Sequence, residues 1–335
     1  MIRSLKRYAR YFFLTTFARK ERHLLFRDIK VYFLSQQWKK KPFNKTEKVK
    51  SLHAAANWLL NNQSYNKDGG FSTYYIVEGH TSSYPETSGY IIDSLFSYSK
   101  KFSRQEILPQ LYRCADWLIS IQKASGGWQG GYIAENKAEI VFNTGQVMRG
   151  LLKAYQESKS EKYLNSCIQA GDWLCQIQEN DGSWKKFALM NSERVYESYV
   201  STVLLDLWKY TGKEKFKNAA ILNLNRIVEN KISANGWLMD CDNTIRHNDR
   251  PILHTIAYAI DGIIDCGLQL NEKKYIDGVK KTADVLLMKF TNKHWLGGRF
   301  SNCWEESEAF ICTGGAQMSI VWMKLYKIYQ DKKYL

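Results

Sequence analysis

Three stretches decide the fold: NWLLNNQSYNKDGGF (57–71), DWLISIQKASGGW (116–128) and DWLCQIQENDGSW (172–184). Each sets a Trp-Leu pair one helical turn before a polar, Gln-bearing step. A glycine turn follows, and then an aromatic anchor: Phe71, Trp128 or Trp184. Weaker copies end in ANGW at Trp237 and NKHW at Trp295. Successive anchors are 57, 56, 53 and 58 residues apart. A fixed period of this length is the signature of one supersecondary unit stacked in series.

Each unit holds two helical segments. In EILPQLYRCADWLISIQ (106–122), Ile107, Leu111, Cys114, Leu118 and Ile121 recur at three- and four-residue steps, giving an amphipathic helix. After each anchor comes a segment that is apolar over most of its circumference: 85–99, 143–158, 197–211, 254–268 and 312–329. A helix apolar all round is buried, so these are the inner helices and the more charged ones are outer. The expectation is an all-α chain, an α/α toroid of five clear helical hairpins over residues 49–335, with no strand. Residues 1–48 form a basic N-terminal helical segment. It either completes a sixth hairpin or lies on an anionic membrane surface.

Composition narrows the function. The chain has 335 residues, 44% of them hydrophobic, and a net charge of +15. Its lysines are dispersed and no nucleic-acid-binding motif accompanies them, so the charge points to a polyanionic substrate or membrane surface and away from nucleic acid. Seven cysteines occur singly, without a CxxC pair, which suits a reducing, cytoplasmic compartment. The apolar run at 11–18 is too short for a signal peptide or a membrane span. No metal or cofactor is expected: Glu86, Glu197, His254 and Cys312 each lack a second ligand at short spacing.

The inner segments align as Glu86-Thr87, Asn143-Thr144, Glu197-Ser198, His254-Thr255 and Cys312-Thr313. The second member is always Thr or Ser, the residue types favoured as N-caps. The varying first member is the candidate site, where inner-helix N-termini also favour an anion. Glu86 and Glu197 are acid/base candidates, with His254, Tyr90 and Tyr258 as proton carriers or orienters. Tyr84, Asn143, Gln146, Tyr196, Arg194, Arg250, Trp128 and Gln317 form the candidate substrate-binding group. Arg246 and Arg299 lie in similar connections. For Trp128 the regular spacing argues more for a wedge between repeats. Asp240 and Asp242, in MDCDN, offer two carboxylates in a loop.

The Gln-x3-Gly-x-Trp pattern at Gln122–Trp128 and Gln178–Trp184 resembles the repeat of squalene cyclases and prenyltransferase β subunits. The Asp-x-Asp-Asp acid and the zinc ligands of those families are absent. The inner-helix motifs YPETSGYI, FNTGQVMRGLLKAY, LHTIAYAIDGI and TGGAQMSIVWMKLY resemble six-hairpin glycosidase-type toroids and the C-terminal domain of glucuronyl C5-epimerases. The resemblance implies a carbohydrate-active enzyme of polysaccharide metabolism acting on an anionic, uronic-acid-type oligosaccharide or polysaccharide as hydrolase, lyase or epimerase. The alternatives are a terpenoid cyclase or prenyltransferase-like enzyme and a non-catalytic glycan-binding toroid.

Overall fold

The computed structural model describes residues 44–75, 77–244 and 250–335 with a few positions before residue 44. The expectations for the N-terminal segment fall almost wholly outside these residues, as does Arg246. The chain forms two compact units: Met1–Ser120 with Gly131–Lys137, and Ile121–Gly130 with Ala138–Leu335.

In the first unit, α1 (Lys45–Gln63) begins at Asn44, whose side chain and Glu47 form a reciprocal capping box. A short hairpin follows, β1 (Ser72–Tyr75) and β2 (Gly79–Ser83), then α2 (Pro85–Phe102) and α3 (Leu108–Ser120). Pro85 opens α2 at a position where a missing N–H costs nothing. The hairpin corrects the expectation of no strands. Its strands are short and rich in Ser, Thr and Tyr, without an apolar alternation, and side chains help hold them: Thr81 Oγ1 accepts from Thr73 N at 3.0 Å.

The second unit runs α4 (Val141–Ser158), α5 (Glu161–Ile177), α6 (Ser198–Thr211), α7 (Glu214–Asn230), α8 (Leu253–Leu270), α9 (Lys273–Lys293) and α10 (Cys312–Tyr329). The even-numbered helices pack on one another in sequence, α4 on α6, α6 on α8 and α8 on α10. The odd-numbered ones cover them, α5 against α7 and α7 against α9. The inner helices meet where glycine removes the side chain. A Cβ on Gly262 of α8 would stand 2.6 Å from Tyr199 N, and one on Gly314 of α10 would stand 2.6 Å from Leu253.

The repeated Gln and Gly are the stitches of the array. Gln63 Nε2 donates to Gly69 O and Gln110 O, Gln122 Nε2 to Gly126 O and Ser166 O, and Gln178 Nε2 to Gly182 O and Ala219 O. One amide thus closes its own glycine turn and ties it to the next outer helix. Gly69, Gly126, Gly182 and Gly236 have φ of +106°, +102°, +85° and +81°, a region that favours glycine. In the fourth repeat the tie comes from the other side, with Thr282 Oγ1 donating to Gly236 O.

The aromatic anchors hold the inner-helix starts. Tyr84 N donates to Phe71 O, and Phe71 N donates to Ser88 Oγ. One repeat later Ile140 N donates to Trp128 O, and Trp128 N to Thr144 Oγ1. This corrects the capping expectation, since no inner helix has a side-chain cap. Thr144 instead receives the anchor's N–H from within the helix. Ser198 Oγ donates to Ala259 O, and Thr255 Oγ1 to Ile252 O.

Candidate active site

The anchors also reset the register. Four inner helices start after Tyr84, Ile140, Ile252 and Ile311, and the 3-10 turn Val195–Glu197 that leads into α6 starts after Arg194. Counting from them, the second helical position holds Glu86, Phe142, Tyr196, His254 and Thr313. The third holds Thr87, Asn143, Glu197, Thr255 and Gly314. Glu86 and His254 are therefore equivalent, while Asn143 and Glu197 sit one step deeper. The sequence alignment had merged these two positions.

In the first unit Glu86 lies in the first turn of α2, half-buried. The Tyr84 hydroxyl donates to its Oε2 at 2.9 Å. Burial raises the carboxyl to about 7, although the Tyr84 hydrogen bond pulls it down. Such a group gives up or accepts a proton near neutral pH. Tyr84 packs on Tyr132 with ring centroids 5.2 Å apart. Tyr90 lies one turn further along α2, half-buried.

In the second unit rings from three inner helices meet around Phe142. Tyr196 is 5.2 Å away at 86°, Tyr258 is 5.1 Å away, and Tyr199 packs on Tyr258 at 5.1 Å. His254 closes the row, 5.9 Å from Tyr258 at 85°. Burial and the Arg299 charge lower the His254 pKa against the opposing pull of Asp242, a net shift that favours the neutral imidazole. Its Nδ1 makes no hydrogen bond among the described residues.

Glu197 is 1% exposed, and neither carboxyl oxygen has a hydrogen-bond partner among the described residues. Burial raises its pKa well above the usual range; Arg194 opposes that shift and Glu193 adds to it. Burial thus favours the protonated acid over the carboxylate. Asn143 Nδ2 and Gln317 Oε1 are likewise without partners there. Polar atoms left unpaired in this way are costly, and they cluster at sites that a ligand completes. Gln146 is fully buried and accepts from Arg149 Nε at 3.4 Å.

Two members of the substrate-binding group are fully buried. Trp128 has no exposed surface and works as the wedge already described. Arg194 is buried to 1% and turns toward Leu189 O, so it does not reach out from a rim connection. Arg250 stays exposed and pairs loosely with Glu305 at 3.5 Å. Asp240 is bound to Lys231 at 2.7 Å. Asp242 accepts from Asn243 N, Thr244 N and Thr244 Oγ1 and faces Arg299. Both carboxylates hold the loop together.

Sequence reasoning missed a charged layer along the inner helices. Arg149 donates to Tyr199 O and Thr202 Oγ1 and stacks 4.1 Å from the Tyr199 ring. Lys324 of α10 bridges Asp261 and Asp265 of α8, each at 2.6 Å. The only sequence signal was Asp261 and Asp265 four residues apart, one face of a helix, in an otherwise apolar segment.

No family model matches the chain, and no curated protein matches it in sequence. Solved structures do match. Cellobiose 2-epimerase from Bacillus thermoamylovorans B4167 aligns with a TM-score of 0.67 at 12% identity, covering 84% of this chain and 84% of that one. Unsaturated glucuronyl hydrolase from Streptococcus agalactiae gives 0.66 at 13%, over 88% and 78%. The enzyme of the same name from Bacillus sp. GL1 gives 0.63 at 11%, over 82% and 77%. Identities this low speak for architecture alone, and on that ground the chain has an all-α, α/α-toroid fold.

Proposed function

We propose that the protein is a carbohydrate-active enzyme of polysaccharide metabolism that processes an anionic, uronic-acid-type glycan by acid/base chemistry. One observation carries this reading. The two titratable residues at the second position of inner helices, Glu86 and His254, are each half-buried beside a tyrosine; burial raises the Glu86 carboxyl to about 7 and lowers the His254 imidazole. Glu86 serves as acid or base in the first unit. In the second, neutral His254 is a base and Glu197, one step deeper, a reserve acid. Hydrolysis, elimination and C5-epimerisation share these roles.

Three features support the choice of substrate: the net charge of +15, the polar atoms without partners at successive inner-helix starts, and similarity to enzymes described as acting on unsaturated glucuronyl groups and as sugar epimerases. The isoprenoid alternative loses its acid, since Asp240 and Asp242 are engaged in ion pairs. Residues 1–48 are the proposed contact with an anionic membrane surface in a cytoplasmic protein. Among the described residues no helix is long and apolar enough to cross a membrane.

A panel of uronic-acid oligosaccharides incubated in heavy water separates the reactions. A gain of one water marks hydrolysis, a 4,5-unsaturated product absorbing near the ultraviolet edge marks elimination, and carbon-bound deuterium in an otherwise unaltered chain marks epimerisation. Glu86→Gln and His254→Asn are each expected to lower kcat by about 10²–10⁴-fold with folding intact. Full activity in both variants overturns the assignment.

A further inference from the structure

Tyr75 stands on β1, 47% exposed. Its hydroxyl lies 2.8 Å from that of Tyr132, which comes from a distant segment of the same unit. Tyr132 is itself fixed. Its backbone N donates to Glu135 Oε2 at 2.7 Å, and Glu135 is held by Lys137 at 2.9 Å. The Tyr132 ring leans on Tyr84 at 5.2 Å and 57°, and the Tyr84 hydroxyl meets Glu86. Three tyrosines thus run in a row from solvent to a half-buried carboxyl. An exposed ring gains little for the core by being held this way, and two hydroxyls that satisfy each other lose the freedom water would give them. The arrangement makes sense as a rigid, pre-ordered surface for a ligand.

The chemistry of the row selects the ligand. An aromatic ring offers an apolar face with a polar tip. A glucose-configured pyranose offers the complement, because its equatorial hydroxyls leave axial C–H bonds on both faces. Charge selects further: the hydrogen bond to Tyr132 and burial raise the Tyr75 pKa and the Glu78 charge adds to the rise, Glu86 ends the row, and the cation Lys137 is already paired with Glu135. A carboxylate-bearing sugar placed here meets acidic neighbours. We infer that Tyr75, Tyr132 and Tyr84 form a stacking platform for a neutral, glucose-configured hexopyranose unit, so that the substrate is an oligosaccharide carrying such a unit beside the sugar presented to Glu86. The inference rests on the carbohydrate reading above and adds a neutral subsite to it.

The test reads binding, not turnover. Saturation-transfer NMR with cellotetraose on the full chain is expected to show transfer concentrated on the axial ring protons. Tyr75→Ala and Tyr132→Ala are each expected to weaken binding about tenfold. Tyr75→Phe, which keeps the ring but loses the hydroxyl pair, is expected to weaken binding less than either alanine variant does. No binding of cellotetraose, or binding indifferent to both alanine variants, overturns the platform even if uronate glycans are turned over. Tri-galacturonate binding the row as tightly as cellotetraose overturns its neutral character. Tyrosine-dependent binding without turnover of any uronate glycan leaves the platform standing and removes the proposed acid/base activity.

Discussion

In the proposed function, residue identity at the inner-helix starts sets the chemistry, and Glu86 shows how finely. Burial raises its carboxyl to about 7 while the Tyr84 hydroxyl, which favours the carboxylate, pulls it down. Removing that donor in Tyr84→Phe is expected to push the carboxyl above about 7 and move the corresponding limb of the kcat/KM pH profile upward; an unmoved limb contradicts the pairing. The same shift has a consequence for stability. The folded pKa lies above the ordinary glutamate value, so between about 4.5 and 7 the folded chain holds a proton that the unfolded chain has released. Stability is therefore full below that window and falls as pH rises through it, by at most about 3 kcal/mol. Urea unfolding at pH 5 and pH 8 is expected to show this fall in the parent and not in Glu86→Gln. The residue types were legible in the sequence, but their alignment was not. Glu86 and His254 share one register position and Asn143 and Glu197 the next, and in the first two repeats bonds from Phe71 and Trp128 fix where the inner helix begins.

At the scale of elements, one motif does several jobs. Gln122 satisfies two carbonyls, Gly126 O and Ser166 O, at 2.7 and 3.0 Å, and also accepts the Ser166 hydroxyl. Gln122→Ala strands both carbonyls and is expected to cost about 2–4 kcal/mol in urea unfolding. A cost below about 0.5 kcal/mol would mean that the stitch is dispensable. Gly126 could not be replaced cheaply either: its φ is +102°, and a Cβ would stand 2.5 Å from Gln169 O. The glycine turn was readable from sequence as punctuation between helices. Its true partner, the next outer helix, lies some forty residues further along the chain, beyond the reach of any local pattern. The β-hairpin at 72–83 was invisible for a related reason. Its Ser, Thr and Tyr residues carry no apolar alternation, and what holds it is a set of side-chain bonds that exists only after the chain has turned back on itself.

For the whole molecule, charge is the property with reach. A net charge of +15 attracts a polyanion over roughly a Debye length. With a uronate oligosaccharide as substrate, kcat/KM is expected to fall severalfold between about 20 and 200 mM salt, mostly through KM. A salt-independent value would argue against an anionic substrate. The sequence alone determined the repeat, the alternation of outer and inner helices and hence the toroid, because period and amphipathicity are written in residue order. It also supplied the residue types that carry protons. Only the tertiary structure decided which of them share a helix position, that Trp128 and Arg194 are buried, that Lys324 bridges two aspartates, and that Tyr75 and Tyr132 meet. Those outcomes depend on contacts between segments far apart in the chain. Their energies come from burial and pairing, and neither exists until the helices have packed.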